Sequence, residues 1–557
     1  MSTDLFTTHR DRLDAATRAI AIREFFSAFD ESPSPRVYGE TAAAQGQAAY
    51  EAWLGTDFPV ETPGSEGTVA TERSPFGIDL GVRYPRVPAT DAAVDALLQA
   101  ARSGMREWRD AGPDGRTGVC LEVLDRLHGR VFELANAVQH TSGQAFVMAF
   151  QAGGAHALDR ALEAIAYAHV EMTRTPATAV WEKPGKHPLK MEKTFTVVPR
   201  GVALVIGCNT FPTWNSWPGL FASLVTGNPV VVKPHPGAVL PLAITVQVCR
   251  EVLAEAGFDP DLVTLAAEDP SDRLAAKLAT RAEVKLIDFT GGNAFGDWLE
   301  ENARQAVVFT EKAGVNTVVV DSTDSFRGMC QNLAFSFALY TGQMCTAPQN
   351  VYLPEDGIET DEGRKSVAEV AQGIGAALDR LLGDDARAVE LLGGVVNQGV
   401  LDRLESVGER GEVLVPSRAV THPTFPDATV RTPTLVGLTA KDADVYESEC
   451  FGPVAYLIAT SGTDESVALL RDTVRRHGAM TASVYATDEQ VLEEVREAAL
   501  DAGVALSENL TGGVFVNQSA AFSDFHGTGA NPAANASYTD GAYVASRFRV
   551  VQSRRHV

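Results

Sequence analysis

VALVI at 202–206, PVVV at 229–232, DLVTL at 261–265 and VKLIDF at 284–289 are four short apolar runs, each bounded by Gly, Pro or Asn. Helical sequence fits between them at 239–256 and 294–305. Strands covered on both faces read as continuous apolar runs, so this alternation predicts βαβ units around a buried parallel sheet. A second series begins near 315 with VNTVVV and continues through NVYL, VAYLIA and ASVYA to about 510, predicting a second α/β unit. Upstream, residues 177–198 read as two strands around a Lys-Pro-Gly turn. The tail 541–551 (GAYVASRFRVV) has strand character and could pair outside its own domain. From Asp91, the residues Val94, Leu97, Leu98, Ala101, Met105 and Trp108 recur at helical spacing, with Thr90 or Asp91 as N-cap. Leu13, Ala16, Ile20 and Phe25 suggest one helical face near the start, broken by Pro33 and Pro35. Residues 1–87 are expected to be a helical extension without a core of its own.

Composition narrows the function. The 557 residues carry 47 basic and 72 acidic side chains, a net charge of −25. So acidic a chain argues against broad nucleic-acid binding, which needs cationic surface to neutralise phosphates. No apolar run reaches the roughly 18 residues of a membrane span, and the N-terminus has neither a charged leader nor a hydrophobic segment. Six cysteines without CxxC spacing suit reduced thiols and a cytoplasmic location. His235 and His526 have no partners at ligand spacing in the sequence, so no metal site is expected.

Several polar residues sit at the ends of the apolar runs. Cys345, in Tyr-Thr-Gly-Gln-Met-Cys-Thr-Ala, has small neighbours in Thr346 and Ala347 and a turn-permitting Gly342; a thiolate there could add to a carbonyl carbon. Glu311, after Val-Val-Phe-Thr, could be partly desolvated, with its pKa raised into the range of a general base. Asn209 follows the strand 202–206 and could donate its amide to an oxyanion. Lys233 closes Val-Val-Val-Lys-Pro-His-Pro, where α/β sheets bind nucleotides. Thr290, Gly291, Gly292 and Gly296, in Phe-Thr-Gly-Gly-Asn-Ala-Phe-Gly, could turn backbone N–H groups toward a pyrophosphate. Glu449 and Phe451 precede another strand, where a carboxylate could hold a ribose. Each also has an ordinary structural explanation: a buried cysteine, a solvated carboxylate, a turn asparagine.

The succession of Asn209, Lys233, the glycine turn 289–296, Glu311, Cys345 and Glu449-Cys-Phe-Gly-Pro resembles the aldehyde dehydrogenase superfamily, over roughly residues 88–550. The resemblance implies a Rossmann-type NAD(P)-binding domain (88–310) with a protruding β arm (177–198), an α/β catalytic domain (311–512), and a return segment with an oligomerisation tail (513–557). It implies Cys345 as nucleophile, Asn209 and the Cys345 backbone N–H as oxyanion hole, and Glu311 as the base that activates water to hydrolyse a thioester. Lys233 and Glu449 would contact cofactor riboses, with Gly291 and Gly296 at the phosphates.

Two departures sharpen the expectation. The usual Lys-Pro-Ser-Glu is here Lys233-Pro234-His235-Pro236; losing the acid at Pro236 removes repulsion of a 2′-phosphate and favours NADP over NAD, with His235 near that phosphate. The usual Glu-Leu-Gly-Gly-Lys is here Glu311-Lys312-Ala313-Gly314-Val315. Together with Gly342–Gln349 and the long N-terminal extension, these resemble the PaaN-type members of the phenylacetate-degradation branch. The implied substrate is a CoA-linked semialdehyde from an opened aromatic ring. Alternatives are a benzoate-type CoA-thioester semialdehyde dehydrogenase, a CoA-acylating dehydrogenase, which would not need Glu311, and a non-catalytic scaffold. Exposed arm edges would be covered in a homodimer or homotetramer.

Overall fold

In the computed structural model, which describes residues 2–557, the four apolar runs and one further strand form an all-parallel sheet. Its order is Val263–Leu265, Val230–Lys233, Val202–Ile206, Val284–Thr290, Val307–Glu311. Every residue of Val202–Ile206 is buried, as a strand between two helical layers requires. Helices Pro212–Val225, Leu240–Glu255 and Asn293–Asn302 make crossovers. The strand that comes first in sequence lies mid-sheet and the order reverses around it, so a crevice opens beyond the carboxyl ends. Those ends carry Lys233, Thr290 and Glu311.

A second sheet of seven strands runs Glu412–Val415, Thr434–Thr439, Val454–Thr460, Asn350–Pro354, Thr317–Val320, Ala482–Tyr485, Leu506–Glu508. Only the first pair is antiparallel. The fold is thus α/β throughout.

The arm is a hairpin of Thr178–Lys183 and Leu189–Pro199. The chain's last strand, Phe548–His556, lies along the other edge of Leu189–Pro199, from Phe548 opposite Pro199 to His556 opposite Met191. The tail differs from the sequence expectation: Gly541–Ala545 is helical, because the Asp540 side chain accepts from the Tyr543 N–H at 2.7 Å and caps a turn that buries Tyr543 and Val544. Beyond that turn, Arg547 is fully buried and forms a bidentate pair with Asp288, at 2.6 and 2.8 Å.

The N-terminal extension packs onto the first domain. Leu13, Ala16, Phe29, Tyr50 and Phe58 join the cluster formed by residues 119–127 and 157–168. Phe25 is 87% exposed, contrary to expectation. The helix Arg10–Ile22 ends at Arg23, in the left-handed region (φ 59°), so Phe25 is off the buried face. Thr90 caps the helix Asp91–Ser103 through the Ala93 N–H. That helix stops short of Trp108: it breaks at Gly104, where a Cβ would lie 2.6 Å from that of Asp259.

Candidate active site

Glu311 ends its strand at the crevice and is 2% exposed. Asn215, from the first turn of helix Pro212–Val225, donates its Nδ2 to Glu311 Oε2 at 2.8 Å. His526 Nε2 lies 3.0 Å from Oε1. The Cys345 sulfur lies within 4.8 Å of the same carboxylate. Burial alone would raise this carboxyl's pKa, but His526, Cys345 and Asn215 together outweigh it and the net direction is downward. The expected rise is therefore corrected: Glu311 is held as the carboxylate.

Cys345 follows three consecutive left-handed residues, Tyr340 (φ 51°), Thr341 (φ 56°) and Gly342 (φ 65°). Two non-glycine residues in that region cost about 1–3 kcal/mol each, so the turn needs outside support. The Tyr340 hydroxyl donates to the Ser142 carbonyl, Thr341 exchanges hydrogen bonds with Gly393, and Gln343 binds the Gly394 carbonyl and the Val396 N–H. A Cβ on Gly342 would lie 2.4 Å from the Gly452 carbonyl oxygen. After the turn, the Asn316 amide donates at 2.8 Å to both the Cys345 and Ala347 carbonyls while its oxygen accepts from Met480 and Thr481 N–H. Thr346 is buried with its hydroxyl on the Asn517 carbonyl. The partly exposed sulfur has its pKa pushed well up, first by burial and then by the Glu311 charge. At rest Cys345 is a thiol.

The remaining sequence candidates fall on both sides of the crevice. Asn209 directs its Nδ2 to the Thr141 carbonyl at 3.1 Å. Among the hydrogen bonds of the described residues none joins it to Cys345. Lys233 is buried and paired with Glu268, itself buried. His235 is exposed and accepts from the Gly237 N–H. The Pro236 carbonyl accepts from Thr71, and the neighbouring Glu72 carboxylate takes the Val239 and Leu240 N–H groups. Thr290 stands opposite Glu311 in the sheet. Gly291 donates its N–H to the Glu311 carbonyl, and a Cβ there would press on the Phe289 ring. Gly296 is a packing glycine, because a Cβ would lie 2.5 Å from the Lys312 side chain. Glu449 is raised to about 7 by burial, against Arg403. The Phe451 carbonyl accepts from Arg403.

A dinucleotide fits this end of the sheet. Gly292 starts helix Asn293–Asn302 with no side-chain cap, and a Cβ on it would meet nothing within 4 Å. Free N–H groups before open space suit a phosphate.

His526, Asn215 and Asn316 are the residues sequence reasoning missed. His526, set aside for want of partners, meets Glu311 and Cys345, which are 215 and 181 residues away in the chain. Their ligand atoms all lie within 4.8 Å of one another, the one such His/Cys/acid cluster among the described residues. His526 Nε2 stands between the other two, 3.0 Å from Glu311 Oε1 and 3.7 Å from Cys345 Sγ. Asn316 carried a signal, a polar amide immediately before the apolar strand Thr317–Val320; Asn215 and His526 carried none beyond residue type.

The sequence profile of the aldehyde dehydrogenase family matches residues 75–529. A crystal structure of a NAD-dependent aldehyde dehydrogenase from Burkholderia multivorans superposes with TM-score 0.97 at 56% identity, covering 99% of both chains. A 1-pyrroline-5-carboxylate dehydrogenase from Thermus with bound NAD superposes at TM-score 0.73 and 20% identity, over 96% of this chain and 99% of the other. In sequence, 1-pyrroline-5-carboxylate dehydrogenase 2 of Bacillus subtilis (strain 168) is 24% identical over 84% of this chain and 88% of its own length.

Proposed function

The chain belongs to the aldehyde dehydrogenase family, and from that premise we propose that it oxidises an aldehyde to a carboxylate through a thioester on Cys345, hydrolysed with Glu311 as base. The observation that carries this reading is the placement of the Cys345 sulfur within 4.8 Å of the buried Glu311 carboxylate at the crevice. Cys345 gives up its proton to Glu311 and its sulfur bonds the carbonyl carbon. A bound nicotinamide dinucleotide supplies the hydride acceptor for that carbon. Glu311, deprotonated again, takes a proton from the water that attacks the thioester. One hydrogen of the Asn209 amide is on the Thr141 carbonyl, which holds the group in place, and the second is left for the oxyanion beside the Cys345 N–H.

For the cofactor we favour NAD. NADP was expected because Pro236 removes a carboxylate. Another stands at the same end of the sheet, Glu268 on Lys233, and would disfavour a 2′-phosphate. The similar Burkholderia multivorans protein is described as NAD-dependent. The substrate class, a CoA-linked semialdehyde of the phenylacetate-degradation type, is supported by the 233–236 and 342–349 motifs. A homodimer or homotetramer through the arm is supported by exposed Val180, Leu189, Val550 and Val551 on its sheet.

The test is reduced-nicotinamide absorbance with NAD or NADP and a panel of free and CoA-linked aldehydes, with Cys345→Ala beside the wild type. NAD reduction with CoA-linked semialdehydes that vanishes in Cys345→Ala is the expected result. Equal turnover of simple aldehydes overturns the substrate class, and turnover by Cys345→Ala overturns the nucleophile.

A further inference from the structure

His526 has no part in the chemistry above, yet it is 3% exposed and touches both groups that carry it. Its Nε2 lies 3.0 Å from Glu311 Oε1 and 3.7 Å from Cys345 Sγ. The ring is held in place from three directions. Its backbone exchanges hydrogen bonds with Tyr538 at 3.0 and 2.9 Å, its face meets Trp214 edge-on at 4.5 Å, and the Tyr538 ring lies at 6.5 Å. The Arg160 guanidinium sits over Trp214, 5.4 Å from that ring. Because Nε2 faces an ionised carboxylate, Nε2 is the nitrogen that carries the proton.

The surroundings of the sulfur show why a donor there matters. Glu311, Glu449 and Cys208 all act on Cys345 in the direction that opposes a negative charge. Among the described residues, His526 Nε2 is the one side-chain N–H within hydrogen-bond distance of Sγ. A thiolate formed among these acids without a donor would be strongly disfavoured.

Resting on the reading of Cys345 as nucleophile, we propose that His526 is a catalytic residue whose Nε2–H, held between the Glu311 carboxylate and the Cys345 sulfur, stabilises the attacking thiolate. As the S–H bond breaks, its proton forms an O–H bond on Glu311. The sulfur lone pair bonds the carbonyl carbon, and the C=O π pair moves to oxygen. Before that C–S bond forms, as Glu311 becomes neutral, the Nε2–H is freed from it and donates to the sulfur. The proton on Glu311 then leaves to solvent, restoring the carboxylate for the hydrolytic water.

The experiment needs no knowledge of the substrate. Alkylation of Cys345 by iodoacetamide, in buffer with EDTA, is followed by peptide mass analysis from pH 6 to 10. Wild type, His526→Ala and His526→Gln are compared in the full chain, with folding checked by thermal midpoint. Loss of the donor should slow Cys345 alkylation at pH 7 about tenfold or more and move its rise upward by about one pH unit. Glutamine, whose amide N–H reaches the same region, should recover most of the rate. Coincident profiles in folded wild type and His526→Ala overturn the proposal. Should the alanine variant not fold, 15N NMR of the wild-type imidazole decides: Nε2 protonated at pH 7 supports the proposal, and Nε2 unprotonated overturns it. Alkylated wild type that still oxidises aldehydes would overturn instead the assignment of Cys345 as nucleophile.

Discussion

At the residue scale the site is governed by who shares the Glu311 carboxylate. Asn215 and His526 hold its two oxygens and the net direction of its pKa is downward, so it stays ionised below the ordinary carboxyl range. The sign follows: a depressed pKa contributes stability at neutral pH that is lost as pH falls through the folded value. Glu311→Gln removes both the acceptor of the thiol proton and the base for the hydrolytic water, so the burst of reduced nicotinamide and the steady-state rate should both fall, and rapid-mixing absorbance will show the two separately. The same variant removes a charge that opposes the thiolate, so Cys345 alkylation should begin at lower pH than in wild type. Asn316 acts one step away. Asn316→Ala leaves two carbonyls of the Cys345 loop and two N–H groups without their partner, and each unsatisfied buried group costs about 1–3 kcal/mol. The expected result is a lower urea midpoint together with a lower kcat.

At the element scale the decisive piece is the left-handed turn 340–342. Gly342→Ala has to accommodate both a positive φ and a Cβ 2.4 Å from the Gly452 oxygen. Activity should fall at least tenfold, with the cofactor still binding by fluorescence titration, because the turn lies on the thiol side of the crevice. Elements of this kind divide what the sequence disclosed from what it concealed. The parallel strands were legible because burial on both faces leaves an uninterrupted apolar signature, and 202–206 falls as read. In the tail 541–551, residues 548–551 fall in a strand that pairs with the arm, as read, but 541–545 were misread because Tyr543 and Val544 are apolar for a helical turn capped by Asp540, a local hydrogen bond that alternation of residue types does not report. Cys345 and Glu311 were legible as members of an ordered motif. His526 was not, because its partners come from other strands and loops and only the folded chain brings them together.

At the scale of the whole molecule, the C-terminus returns to the first sheet. Arg547 pairs bidentately with Asp288 in full burial, and the Arg547 carbonyl accepts from Asn228. Removing one partner of such a pair leaves an uncompensated charge and costs about 3–5 kcal/mol. Arg547→Met should lower the unfolding free energy from urea titration by that amount, and adding Asp288→Asn should restore part of it; a double-mutant cycle measures the coupling. The same pairing sets an order of events during synthesis. Until residues 547–556 have been made, the nascent first sheet has Asp288 in place but no guanidinium to meet it, and the hairpin of the arm lacks its third strand. The first sheet, although translated early, reaches its final form only when that stretch docks and closes both gaps in one step.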